Sequence, residues 1–265
     1  MIRSHEIVSL PSASTLLALR RDAVSSTPPT KSVFIVGDPV FDRRDARVKG
    51  SGPQVVAAPA GSMERSAKES GADLERLWFT RREANAIATL AGRDGVQKLL
   101  DFDATLDRVM AAGLASYRVV HFATHGLLNN KHPGLSGLVF SLVDSRGRPR
   151  NGFLPAYEVY NLRLNADLVV LSACQTALGE DVRGEGLVGL TRAFMYAGTP
   201  RVVASLWRVP DSATAALMER FYHAMLLQRL TPANALRTAQ ESVRAERRWA
   251  APYYWAGFTL VGDWK

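Results

Sequence analysis

The 265-residue chain holds one cysteine, Cys174. That excludes an intramolecular disulfide and any cysteine-rich metal site. No stretch approaches the ~20 consecutive apolar residues of a membrane span. The first residues, Met1-Ile-Arg-Ser-His-Glu6, lack the apolar core of a signal peptide, so a cytoplasmic location is expected. No internal repeat and no second domain are visible, and residues 1–265 read as one domain. Acids are in the minority: 33 Lys and Arg against 25 Asp and Glu leave a net charge of +8. The excess is arginine, clustered at Arg43-Arg44-Asp45-Ala46-Arg47, Arg146-Gly-Arg-Pro-Arg150 and Arg244-Ala-Glu-Arg-Arg248. A nucleic-acid footprint requires one coherent basic face with aromatic platforms. Clusters scattered along the chain and diluted by acids read instead as solvated surface, and no nucleic-acid partner is expected. What the chain does have is apolar content, 47% of its residues, enough for a substantial core.

Strand and helix signals alternate almost throughout. Ser32-Val-Phe-Ile-Val-Gly37 is a strand ended by Asp38-Pro39. Residues 43–76, rich in Gly, Ser, Ala and charge, have no periodicity and read as a mobile surface loop. Thr80 with Glu83 three residues on predicts a capping box and a helix behind it. A short strand over Val96 to Leu100 and an amphipathic helix over Ala104 to Ala112 lead into the apolar run Tyr117-Arg-Val-Val-His-Phe-Ala. Beyond it, Asp144-Ser-Arg-Gly between two apolar segments signals a hairpin. A short helix at 155–161 precedes a second buried run, Ala166-Asp-Leu-Val-Val-Leu-Ser-Ala. A helix from Glu185 to Ala197 is stopped by Gly198. A strand spans Arg201 to Trp207, Asp211 opens a helix to about Leu227, and Thr231-Pro232 opens another with proline at its first position. Phe258 to Val261 is a last strand. This order predicts an α/β fold of three layers: a mostly parallel sheet covered by helices on both faces, with a small β-hairpin insertion.

The two buried runs end in His125-Gly126 and in Cys174-Gln175. If their strands are parallel neighbours, both residues leave the same sheet edge, where open α/β sheets carry their sites. A cysteine beside a histidine is a nucleophile beside its base. Taken singly, each residue has a plainer reading. A lone cysteine is usually a small buried hydrophobe, and a histidine there can simply cap a strand edge. Gly126 lets the backbone approach a ligand closely, and its amide with that of Cys174 can form an oxyanion hole. His121 and His125 form His-x-x-x-His, but on a strand and without the glutamate a helical zinc site needs. No metal is expected, and His121 reads as a buried, hydrogen-bonded histidine. Gly184-Glu-Gly-Leu-Val-Gly189 matches a dinucleotide fingerprint but stands too far from its strand, so its glycines read as close helix–sheet packing. Asp211 reads as a helix N-cap or as a residue lining a substrate pocket. Asp38 reads as a turn residue with Pro39 or as part of that pocket.

Several segments resemble the CHAT family, caspase-like domains often fused to tetratricopeptide repeats. They are His121-Phe-Ala-Thr-His-Gly126, Leu171-Ser-Ala-Cys-Gln-Thr-Ala177, Ala204-Ser-Leu-Trp207, Thr214 with Leu217-Met218 and Phe221-Tyr222, and Pro252-Tyr-Tyr-Trp-Ala-Gly-Phe258 running to Gly262-Asp-Trp264. The resemblance covers Ser9 to Trp264. His125 and Cys174 stand 49 residues apart, and in caspases the histidine lies about 50 residues upstream of the cysteine.

The family is similar to caspases, separases and gingipains in fold and in its His–Cys dyad. That implies His125 as general base or imidazolium partner, Cys174 as nucleophile, and the Gly126 and Cys174 amides as oxyanion hole. It implies substrate contacts from Ser205, Leu206, Trp207 and Arg208, pairing with substrate as an added strand. Asp38 and Asp211 fall near the P1 pocket. Arg208 stands where the family commonly has proline. Asp38 favours a basic P1 residue and Arg208 an acidic one. The acid that separases use at P1 falls here near Ala215. The resemblance thus implies a cysteine endopeptidase without cofactor, in bacterial defence or regulated cell death. Its expected substrate is another protein, such as a pore-forming effector, and a separate protein is the expected regulator. The competing expectation is a catalytically silent docking domain on the same fold.

Overall fold

The computed structural model describes residues 2, 4–25, 28–49, 74–129, 132–172, 174–175 and 185–264. Its strands are β1 (Val8–Ser9), β2 (Lys31–Pro39), β3 (Val96–Asp101), β4 (Tyr117–Ala123), β5 (Gly126–Leu127), β6 (Gly137–Val139), β7 (Phe153–Pro155), β8 (Leu168–Leu171), β9 (Cys174–Gln175), β10 (Arg201–Ser205) and β11 (Phe258–Gly262). Seven of them form one sheet in the order β1-β11-β10-β8-β4-β2-β3. Every neighbouring pair in it is parallel except β10 with β11. A four-stranded sheet, β7-β6-β5-β9, stands beside it.

Alternation along the central strands explains the layers, because successive side chains point to opposite faces. Phe34, Val36, Val120, Phe122, Val169, Leu171, Val202 and Ala204 belong to one core, with the helices Leu106–Ala111, Ala156–Val159 and Glu185–Tyr196 over it. Val33, Ile35, Val119, Leu168, Val170 and Val203 belong to the other, under the helices Thr80–Ala91, Asp211–Tyr222 and Pro232–Ala245. Strands covered on both faces have no polar side, which is why they read as continuous apolar runs. The predicted hairpin is present: β6 pairs antiparallel with β7, and Asp144 accepts from the backbone N–H of Arg146 and Arg148 in the turn between them.

Several local expectations change. The Val8–Ser9 strand and the Ala13–Ser25 helix were not foreseen; the two-residue strand is too short to signal itself and pairs parallel with β11, and the helix is tied down by Arg20, which pairs with Asp263 at 2.7 Å. The Thr80 capping box does not form. The residue before the helix is Phe79, and the Thr80 hydroxyl donates to the Leu77 carbonyl while accepting from the Asp38 N–H. Glu83 turns inward instead. Its Oε1 lies 2.8 Å from His121 Nε2, both side chains fully buried, though off-line for a hydrogen bond. His121 Nδ1 meets the Tyr222 hydroxyl at 3.0 Å. Burial, reinforced by the Glu83 charge, pushes the Tyr222 phenol well above its ordinary value. The histidine, glutamate and tyrosine thus tie β4 to the helices Thr80–Ala91 and Asp211–Tyr222.

Gly198 ends the Glu185–Tyr196 helix as expected, at φ +115°, and a Cβ there would stand 2.2 Å from the Leu164 carbonyl oxygen. Gly189 approaches Pro133 rather than the sheet, and Gly184 lies outside the described residues. Of the expected loop at 43–76, residues 50–73 also lie outside them. At its described ends most residues are exposed or half-buried, but Arg47 and Arg76 reach inward to the buried Asp38. Lys49 N–H donates to the Ser145 carbonyl, so the first two arginine clusters lie side by side rather than scattered. Within them Arg44, Arg47 and Arg148 pair with Asp42, Asp45 and Asp144.

Candidate active site

β4 and β8 are adjacent and parallel, and the chain leaves both at the same edge of the large sheet. Ser172 N–H donates to the Phe122 carbonyl at 3.0 Å, so the two exits stay together beyond the ladder. The strands then pair again one step further out. Gly126 is the register partner of Cys174, and Leu127 that of Gln175. The backbone of Cys174 therefore runs beside the residue that follows His125.

His125 is held on three sides. Its carbonyl accepts from the Val139 N–H at 2.9 Å. Its ring packs against Phe41, centroids 4.9 Å apart. Its Nε2 lies 2.6 Å from the Glu75 carbonyl oxygen. A carbonyl only accepts, so Nε2 carries the proton and Nδ1 is the nitrogen with the lone pair in the neutral ring. Thr124, the residue before, donates its hydroxyl to the Val139 carbonyl and locks the turn out of β4.

The ring forms part of the wall of a cleft of about 320 Å³. Ser172, Ser205, Trp207, Arg208, Asp211 and Thr214 line it from the same sheet edge, and residues 75–79 from the facing segment. Trp207 is fixed by its indole N–H, which donates to the Tyr253 carbonyl at 2.9 Å. Arg208 is half-exposed and pairs with Glu75 at 3.3 Å across the mouth. Leu206 is exposed but outside the lining; its N–H donates to the Gly257 carbonyl and extends the pairing of β10 with β11. Trp78 and Phe79 are exposed at the rim, with the Arg76 guanidinium over the Trp78 ring.

Asp38 is not in the cleft. It is fully buried, and Arg76 donates to it twice, both at 2.8 Å. Arg81 Nε reaches the same carboxylate at 2.9 Å and Arg47 at 3.0 Å. Asp45 and Asp101 complete the network. The hydrogen bond from Arg47 outweighs burial and holds the Asp45 carboxyl down at about 2. A carboxylate enclosed by three guanidinium groups has no field left to select a basic substrate residue.

Asp211 is the first residue of its helix rather than the N-cap, which is Pro210, and its carboxylate accepts from the Phe79 N–H at 2.6 Å. Burial pushes its pKa up to about 6; the Phe79 N–H opposes that rise, and the charges of Glu83 and Asp38 add to it. A carboxyl raised on folding stabilises the fold fully below its unfolded value of 3.8, and that contribution is lost as pH rises through about 6. Asp211→Asn is therefore expected to remove a fall in melting temperature across this window; an unchanged pH profile of melting would place the titration elsewhere.

His121 is buried against Glu83 and Tyr222 and is not among the residues that line the cleft. No metal-holding group of three ligands occurs among the described residues. Sequence reasoning missed Glu75, which acts through a backbone carbonyl and so has no side-chain signature. It also missed Ser172, a residue of the cleft lining whose buried hydroxyl has no hydrogen-bond partner among the described residues. Its place two residues before Cys174 was the available signal.

This is the edge and the pair of crossover strands of a caspase-like α/β fold. The chain belongs to the CHAT family: the CHAT domain model matches residues 1–263. It is similar to tetratricopeptide repeat protein 28 of Mus musculus, 34% identical over 198 residues, and to that of Homo sapiens, 33% identical over 200. These matches take in 64% of the chain, which spans only 8% of the length of either relative. Among solved structures, the Saccharomyces cerevisiae separase–securin complex matches over 97% of this chain and 14% of that one, with TM-score 0.51 and 12% identity. The Arg-specific cysteine proteinase gingipain R matches over 96% of this chain and 52% of that one, with TM-score 0.47 and 12% identity. Among the described residues no helix is long and apolar enough to cross a membrane.

Proposed function

We propose that this chain is a cysteine endopeptidase with Cys174 as nucleophile and His125 as its base. The observation that supports this best is the second pairing of the two exits, with Gly126 opposite Cys174 in register. His125 takes the thiol proton, and the thiolate attacks the scissile carbonyl carbon. The amides of Gly126 and Cys174 are assigned to the oxyanion. The C–N bond breaks as the imidazolium protonates the leaving amine, which leaves a thioester on Cys174. Water, deprotonated by His125, then releases the acid product and restores the thiol. Ser205, Trp207 and Arg208 are proposed to receive the substrate as an added strand along the end of β10.

The substrate class is another protein, with a pore-forming effector in bacterial defence or regulated cell death as the family-based proposal. A separate protein is the proposed regulator.

Because Cys174 is the only cysteine, thiol labelling reads one site. Alkylation by iodoacetamide is expected to persist well below the ~8.5 pKa of a free cysteine and to shift upward in His125→Gln. A peptide library is expected to be cut by wild type and left intact by Cys174→Ala. An ordinary thiol titration with cleavage unchanged in Cys174→Ala would overturn the proposal and leave a docking module on a caspase-like fold.

A further inference from the structure

A second cavity, of about 480 Å³, lies at the opposite edge of the large sheet, against the starts of β4, β8 and β10. Its outer wall is the connection between the Asp211–Tyr222 and Pro232–Ala245 helices, from Met225 to Pro232. Three arginines line it, Arg118, Arg201 and Arg229, against one acidic residue, Asp167. Asp167 is matched by Arg118 at 3.2 Å, which leaves two cationic charges on the lining.

Arg201 is the informative member. Its Nε is buried and meets no hydrogen-bond acceptor among the described residues. Burial pulls its pKa below the ordinary value; Asp263 and Asp167 act the other way without restoring it, and Arg20 adds to the fall. The nearby Asp263 is already committed to Arg20 at 2.7 Å. A guanidinium stays charged, and Arg201 has no ion-pair partner among the described residues, a cost that an oxyanion meeting its outer nitrogens would relieve. Arg229 stands in the left-handed region at φ +57°, uncommon for a residue with a side chain, and is exposed at the cavity mouth. The remaining walls are apolar, with Leu168, Leu226 and Leu230 among them.

We propose that this cavity is a binding site for a small organic phosphate. Arg201 and Arg229 hold the oxyanion, and the apolar body lies against Leu168, Leu226 and Leu230. A phosphate monoester is mostly a dianion near neutral pH, which matches the two unmatched cations, and its oxygens suit paired guanidinium donors. The site is remote from His125 and is independent of the peptidase reading.

Calorimetric titration of the full chain with phenyl phosphate tests it, with inorganic phosphate and phenol as separate arms. Saturable binding of phenyl phosphate is expected, with inorganic phosphate weaker by about fivefold or more, since it lacks the apolar body. Phenol is expected not to bind. Arg201→Gln and Arg229→Gln are each expected to weaken phenyl phosphate about tenfold or more. Arg208→Gln, which alters the cleft, is expected to leave the affinity unchanged. Arg229 is exposed in a turn, so its variant keeps the test readable even if Arg201→Gln fails to fold. No saturable binding to the folded wild type, or full affinity in Arg229→Gln, would overturn the site. Inorganic phosphate binding as tightly as phenyl phosphate would overturn the apolar subsite.

Discussion

Replacing His125 with glutamine is expected to lower kcat/KM for peptide cleavage by about a thousandfold or more while leaving the fold intact. The glutamine amide can still donate to the Glu75 carbonyl, the contact that His125 Nε2 makes at 2.6 Å. What it lacks is a second nitrogen able to take a proton from a thiol and return it to an amine. The loss belongs to kcat, because proton transfer occurs in the transition state and not in substrate binding. Melting temperatures of wild type and variant should agree within a few degrees. Equal kcat/KM in His125→Gln and wild type would remove His125 from the reaction. A large fall in melting temperature would show instead that its role is packing against Phe41.

Asp38→Ala is expected to destabilise the protein by about 3 kcal/mol, a drop in melting temperature of about 6–12 °C for a chain of this size. Asp38 is fully buried and holds Arg47, Arg76 and Arg81 together. Taking away the carboxylate leaves Arg76 facing a buried space without its anion, and an orphaned buried charge costs more than the pair ever contributed. Arg47 and Arg81 retain Asp101, which keeps the cost near the lower end of the range for buried pairs. Activity should fall as well, since Arg76 anchors the segment whose Glu75 carbonyl orients His125. The contrast is Asp42→Ala, which removes an exposed pair with Arg44 and is expected to cost under about 1 kcal/mol. Matching melting curves for Asp38→Ala and wild type would refute the buried network as a stabilising element.

Long patterned segments were readable from the chain. The runs 117–123 and 168–171, the helices opened by Asp211 and Pro232, and the stop at Gly198 follow from apolar periodicity, proline placement and glycine conformation. A mostly parallel sheet was legible too, but that the histidine and cysteine strands are neighbours in it was only a condition of the sequence reading, which the pairing of β4 with β8 meets. Local polar signals were less reliable. Thr80 and Glu83 carry the spacing of a capping box, yet Glu83 has a buried histidine within reach and the tertiary contact wins. Asp38 had the right position for a pocket residue, but three arginines from 47, 76 and 81 converge on it. No pattern announces that convergence, because each partner comes from a different loop or helix.

Composition and periodicity by themselves determined the layered α/β class and the burial of the central strands, and they singled out His125 and Cys174 as candidates at the strand ends. These depend on residue type and short-range spacing, which a linear chain carries in full. Tertiary structure alone decided which charges neutralise one another, which carbonyl orients His125, and which acid faces the cleft: Asp211, with its carboxyl raised to about 6, and not Asp38. Those outcomes depend on distances between groups tens of residues apart and on how much water is excluded around them, and neither quantity exists until the chain has folded.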